Sequence, residues 1–456
     1  MSGRRIVVIG GGIAGLAAAH RLVERGGVDV VLAEAGDRLG GPLATEHTGG
    51  FIVEVGADSI LTEKPWALDL CRRIGFAEQL VGTRESERRT SVVQRGRVEP
   101  LPEGFLLLAP TDFAALLASP LFSWRGKLRM GLDLVLPRGG ASEDESVAAF
   151  VRRRLGHEAL DRVAEPLLGG IYTGDAERLS LRATMPRFAE LEARHRSLIR
   201  GLRATASAPA AGARYSLFVA PAAGMGTLVE ALAKRLPEGV VRLQAAASNI
   251  ARVGDQWRLR VGTESLTVDG VVLAVPAPVA ATLVSPLDSQ LGRLLGSIAY
   301  ASSATVTLGF RSADARGLAG FGFVVPRSER RALLACTYAS RKYPHRAPEG
   351  YELVRGFMGG ALRPDLLALD DRTLVETVRQ ELEALVGIRA APVLTRIHRH
   401  VGAMPQYDVG HLERVAAIEE RAGALPGFSL AGAAYRGVGI PDCVRSGEAA
   451  AERLAG

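Results

Sequence analysis

Cysteine is scarce: Cys71, Cys336 and Cys443 are the only three in 456 residues, far apart and in no C-x-x-C pair. That spacing gives neither a disulfide framework nor a zinc pattern, and the expectation is three reduced, buried thiols and no metal. Aromatic residues make up only 5% of the chain and interleave with no basic run, so nucleic acid is the least suited partner. No apolar run approaches the roughly 18 residues of a membrane-crossing helix. The sequence enters a strand by its fourth residue, which leaves no space for a signal peptide and sets the expectation of a cytoplasmic protein. Lysine is nearly absent too, so the net charge of +7 is almost all arginine. Such a surplus suits an anionic ligand or an anionic membrane surface.

The chain is long enough for two or three domains, and 47% apolar residues with 23% charged are ordinary for a globular enzyme. Its most informative stretch comes first. Residues 4–9, R-R-I-V-V-I, read as a buried parallel strand and run into G-G-G-I-A-G and then a helix-forming segment. This is G-x-G-x-x-G at a strand-to-helix turn. Gly10 allows the tight turn, Gly12 lets backbone approach a pyrophosphate, and Gly15 lets helix and strand pack. Gly11, Ile13 and Ala14 complete the segment whose amides and helix dipole face the phosphates. A second strand over 28–33 ends at Glu34, placed to accept hydrogen bonds from both hydroxyls of an adenosine ribose.

After Glu34 come Ala35, Arg38, Gly40 and Gly41, in A-G-D-R-L-G-G. This extension resembles the flavoprotein family that includes amine oxidases, phytoene desaturases and protoporphyrinogen oxidases. The resemblance implies that these residues lie along the pyrophosphate and ribityl chain of a non-covalent FAD. It also implies the fold class: α/β, with a Rossmann-like FAD-binding domain of the amine-oxidase type, a sheet-based substrate domain and a helical subdomain. The implied segments are 1–85, 214–285 and 395–456 for FAD, 286–394 for substrate and 86–213 for the helical part.

Further motifs narrow the resemblance to protoporphyrinogen oxidases. Gly56, Ala57, Asp58 and Ser59 follow T-G-G-F-I-V-E-V over 48–55, read as a short strand after a glycine turn, and are similar to a G-P-N-S-F segment that lies beside the isoalloxazine there. Residues 91–102 read as a hairpin turning at Arg95-Gly96. The stretch P-L-L-G-G-I-Y-T-G-D-A-E-R-L-S over 166–180 resembles G-V-Y-A-G-D-x-x-x-L-S, and M-P-Q-Y-D-V-G-H over 404–411 resembles I-P-Q-Y-x-x-G-H. Ala247 aligns with a valine whose backbone contacts adenine, and His400 with a tryptophan near the flavin. At the C-terminus, G-V-G-I-P-D-C is implied to bring Gly437, Val438, Gly439 and Asp442 to the cofactor. Residues 111–136 and 145–155 have helical spacing, and 371–386 an amphipathic helix. The apolar groups of 105–130 beside Arg125, Lys127 and Arg129 suit either a packed helical unit or a membrane-facing surface. Residues 204–213 read as a mobile linker.

The implied activity is the O2-dependent, six-electron oxidation of protoporphyrinogen IX, giving H2O2. By the same resemblance the Gly170 carbonyl orients a pyrrole N–H, and Val324, Leu334 and Phe357 line the tetrapyrrole pocket. Arg89 and Arg95 are candidates for a propionate, since an arginine fork suits a carboxylate. A flavin-type coproporphyrinogen III oxidase shares every one of these motifs and is the alternative; an amine oxidase is the more distant one. Peripheral membrane contact and a homodimer complete the expectations.

Overall fold

The computed structural model describes residues 4–87, 89–102, 105–106, 109–110, 112–139, 144–206 and 217–455. Of the expected linker over 204–213, residues 204–206 instead complete the helix Leu198–Ala206, and the rest falls outside the described residues, as do 107–108 and Thr111 of the expected helical region.

Five parallel strands form the first sheet, in the order Val241–Arg242, Val28–Ala33, Arg4–Ile9, Gly270–Leu273, Phe428–Leu430. Their β-branched runs are buried on both faces, as a parallel sheet covered on both sides requires. Ile6, Val8 and Leu32 pack under the helices Ile13–Arg25 and Ile440–Ala455. Val7, Ile9 and Val31 pack against Trp257, Leu259 and Val268 of an antiparallel meander, Ala247–Val253, Gln256–Val261 and Glu264–Val268. The two helices touch closely: a Cβ on Gly447 would fall 2.0 Å from the Ala14 carbonyl oxygen. The end of the chain is thus clamped to its beginning.

A second sheet has seven strands: Leu394–Pro405, Tyr300–Arg311, Tyr351–Gly359, Leu333–Tyr338, Gly322–Val324, Thr90–Gln94 and Arg97–Pro100. One face carries Ala304, Val306, Leu308 and Phe310 against Leu374, Val378 and Leu382 of the helix Asp371–Val386. Alternation turns Thr305, Thr307, Arg355 and Phe357 to the other face, where Arg355 reaches the Val55 carbonyl. The sheet draws on all three expected segments. The hairpin at residues 90–100 belongs to it rather than to the helices, and so does the strand Leu394–Pro405.

The short strand expected after a glycine turn over 48–55 is Phe51–Glu54, and Gly49 and Gly50, with φ of 56° and 80°, pair it back onto a second strand, Thr45–Thr48. One local expectation is corrected. The long helical region over 111–136 is broken into Phe113–Ala118 and Trp124–Gly131, separately capped by the Asp112 and Ser123 side chains around Pro120. These helices belong to an α-helical unit whose centre is a fully buried ion pair, Arg154 with Asp133, which also accepts from Ser197 Oγ at 2.6 Å.

Candidate cofactor and substrate cleft

The helix Ile13–Arg25 begins at Gly12 with no side-chain cap, so its first amides are free for a ligand. A Cβ on Gly12 would meet nothing within 4 Å, which marks open space directly before that helix end. Gly10 and Gly15 are glycines for packing: a Cβ on Gly15 would land 1.8 Å from the Gly10 carbonyl oxygen. The Glu34 carboxylate stands beside this opening. Its oxygens accept from the Gly11 amide at 2.6 Å and the Gly36 amide at 2.7 Å, with lone pairs left for a ligand's hydroxyls. Ala35 and Arg38 are exposed on the rim, and Ala247 opens its strand two residues beyond the Ala245 amide that bonds the Glu34 carbonyl.

In the other direction the opening runs along Gly40 and Gly41. The Gly40 amide bonds the Gly11 carbonyl at 2.8 Å, and Gly41 approaches the Gly12 Cα. The absent side chain of Gly56 is explained by Pro42, whose carbonyl oxygen would be 2.1 Å from a Cβ there. Asp58 and Ser59 follow. The Lys342 ammonium lies 3.0 Å from Asp58 Oδ1, and Ser59 Oγ donates to the same oxygen at 2.6 Å. Burial works to raise the Asp58 carboxyl, but Lys342 and Arg355 outweigh it and hold it below the usual carboxylate range. His400 Nε2 meets the Val55 carbonyl at 3.0 Å, and burial together with Arg355 pushes its imidazole below its ordinary value. Gly437, Val438 and Gly439 close this end at the start of the helix Ile440–Ala455; Asp442 in its first turn takes an ion pair from Lys64.

Beyond lies an apolar face between helix and sheet, the candidate substrate cleft. The helix Glu165–Tyr172 exposes Gly170 and Ile171, the latter 44% exposed. Across from Gly170 stand Val324 and Ala335, 3.6 and 3.9 Å from where its Cβ would be, with Phe357 packed in the same cluster. A profile of the flavin-containing amine oxidoreductases matches residues 13–455. The chain belongs to that family. Its members carry a flavin, and the opening just described has the donors and space for one. The chain is 34% identical to a coproporphyrinogen III oxidase of Bacillus subtilis (strain 168), covering 98% of this chain and 97% of that one. A protoporphyrinogen oxidase of Bos taurus is 31% identical, over 100% and 99%. The crystal structure of a protein from Exiguobacterium sp. 255-15 superposes with a TM-score of 0.90 at 32% identity, over 100% and 99%.

In this flavoprotein-family frame, Gly170, Val324 and Phe357 come together on one cleft. Leu334 sits at a bulge of the neighbouring strand, near Thr173 and Gly360. Arg89 and Arg95 do not meet. They flank the strand Thr90–Gln94 at opposite ends, about 20 Å apart along it, so they cannot fork one carboxylate together. The Arg95 amide, at the hairpin turn, bonds Glu329 at 2.6 Å. Sequence reasoning missed Lys342 and Arg355 because their roles depend on distant segments: strand register carries Arg355 to Val55, and the short helix Ala339–Lys342 carries Lys342 to Asp58.

Proposed function

We propose that this protein oxidises coproporphyrinogen III to coproporphyrin III with a non-covalently held FAD, using O2. The observation that carries the reading is the apolar candidate cleft at Gly170, Val324, Ala335 and Phe357, backed by the cation Arg355 over the Phe357 ring. A flat macrocycle with carboxylates at its edge needs apolar walls and a basic margin. The bacterial relatives at 31–34% identity that cover nearly the whole chain, named coproporphyrinogen III oxidase, support the same substrate. Protoporphyrinogen IX, named for the bovine relative, is the second reading.

The balance is the loss of six electrons and six protons from the macrocycle to three O2, giving three H2O2. When bound, FAD supplies the two-electron acceptor. The chain's own part is to bind and orient. Glu34 accepts from the ribose, the Gly10–Gly15 turn and the start of the helix Ile13–Arg25 receive the pyrophosphate, and the segments at Gly56–Ser59 and Gly437–Gly439 flank the flavin ring. Val324 and Phe357 exclude water, and the Gly170 carbonyl faces a pyrrole N–H. The burial of all three thiols supports the non-covalent reading: it pushes Cys71 and Cys443 each up to about 12, and Cys336 upward as well. The test is to supply the purified yellow protein with each porphyrinogen and follow porphyrin fluorescence and H2O2. Coproporphyrinogen III should give the higher kcat/KM; faster oxidation of protoporphyrinogen IX would reverse the assignment.

Peripheral membrane contact is proposed for the ridge of Leu117, Trp124, Leu128, Leu132 and Val135, between 48% and 71% exposed. Among the described residues no helix is long and apolar enough to cross a membrane. The basic groups expected to assist largely face inward. Lys127 donates to the Leu117 carbonyl and Arg129 to the carbonyls of Arg152, Arg153 and Arg154, leaving Arg125 exposed. Binding should thus depend on the apolar ridge, and vesicle co-sedimentation unaffected by Leu128→Ser with Trp124→Ser would sink it.

A further inference from the structure

Arg355 is buried, only 4% exposed, yet no carboxylate among the described residues comes within ion-pairing distance of it. Of its five donors, Nη2 bonds the Val55 carbonyl at 2.9 Å, while Nε is buried without a partner. Its guanidinium lies over the Phe357 ring, 4.9 Å from the centroid, so it backs the wall of the cleft. Thr307, its direct neighbour across the ladder, and Thr305 next to it also have buried hydroxyls with no partner. The nearby anions are already held, Asp58 by Lys342 and Glu54 by Arg346. His400 bonds the same Val55 carbonyl and is kept neutral by burial and by Arg355 itself. Among the described residues the cluster therefore holds three cations, Lys342, Arg346 and Arg355, against two anions, in a place where removal of a charge from water is costly.

An uncompensated buried cation sets up a field that water does not screen. It is retained against that cost where negative charge arrives in use. The cofactor opening leads from Gly12 past Gly41 and Pro42 to Val55–Asp58, which is where the Arg355 guanidinium is anchored. We propose that Arg355 is the electrostatic residue that stabilises negative charge on the reduced flavin held in this cleft. The inference rests on the reading that the cleft takes a flavin; it is independent of which porphyrinogen is oxidised. Arg355 acts through the field rather than by touching the reacting atoms, so the decisive readout is a potential.

The experiment is spectroelectrochemical titration of the FAD-loaded full-length protein and of Arg355→Met, Arg355→Gln and Arg355→Lys. Met preserves the aliphatic bulk and Gln preserves a donor for Val55; both remove the charge, and Lys keeps it. The neutral variants should disfavour two-electron reduction at least tenfold, a drop of about 30 mV in midpoint potential. The Lys variant should stay within a threefold change in the same equilibrium. Unchanged potentials in Met and Gln, or a drop in Lys as large as in Met, would overturn the proposal. If wild type oxidises neither porphyrinogen while these shifts hold, the substrate assignment fails and the role of Arg355 stands.

Discussion

The Lys64 ammonium lies 2.8 and 2.7 Å from the two carboxylate oxygens of Asp442, across 378 residues of sequence. The pair ties the segment after Ser59 to the first turn of the C-terminal helix, and with it the loop Gly437–Gly439. Asp442 is 10% exposed and Lys64 41%, so water screens part of the attraction. A double-mutant cycle of Lys64→Met and Asp442→Asn, read by urea denaturation, should give a coupling of about 0.5–1.5 kcal/mol. Additive effects within about 0.3 kcal/mol would show that the contact stabilises nothing.

Glu34 has two duties. Besides facing the ribose position, its carboxylate holds the Gly11 and Gly36 amides, so it shapes the turn that receives the pyrophosphate. Glu34→Lys removes both acceptors and adds a misplaced cation. Loss of charge-assisted hydrogen bonds of this kind costs about 2–4 kcal/mol, or roughly 30- to 1,000-fold in FAD affinity. Flavin retention equal to wild type after gel filtration of dilute protein would refute the assignment.

What the sequence made legible was chemistry carried by neighbours in the chain. The Gly10–Gly15 turn and Glu34 are adjacent elements of one unit, so their spacing is visible before any fold is known. The helix Asp371–Val386 was legible to its end residues because Leu374, Val378 and Leu382 repeat at helical spacing between the Asp370 cap and Gly387 at φ 74°. The strand Leu394–Pro405 was not. Its residues Arg396 and His398 look like surface, but they satisfy Glu46 of a distant hairpin, so polar pairing rather than apolar alternation defines its inner face. Arg355 reaches Val55 across 300 residues, and no local pattern encodes such a meeting.

The cleft itself is tested at Gly170. A Cβ there would make ordinary contacts with Val324 and Ala335, so the backbone tolerates a side chain, but the added groups of leucine would project into the space between the helix and the sheet. Overpacking costs about 1–3 kcal/mol, which a chain of this size survives. Gly170→Leu should fold, remain yellow and lose most porphyrinogen turnover. Wild-type kcat/KM in a yellow variant would show that the glycine only ends a helix.

Glu165 opens the helix that carries Gly170, and its Oε2 accepts from the Arg327 amide of the facing sheet at 3.1 Å. Burial pushes its carboxyl up to about 6 from 4.5, with Asp161 and Asp175 adding to the rise and Arg327 opposing it. Its folded pKa therefore exceeds its unfolded one, and the folded state binds the proton more tightly. The associated stability is fully present below about pH 4.5 and is lost as pH rises through about 6. Partial solvent exposure discounts the shift, leaving about 1–2 kcal/mol. Glu165→Gln keeps a carbonyl acceptor for the Arg327 amide but has no charge to bury. Relative to wild type, the variant should gain that amount between pH 4.5 and pH 7.5, in denaturation curves measured at both values. A difference between the two proteins that is constant across this window would show that Glu165 ionises in the fold as freely as in the open chain.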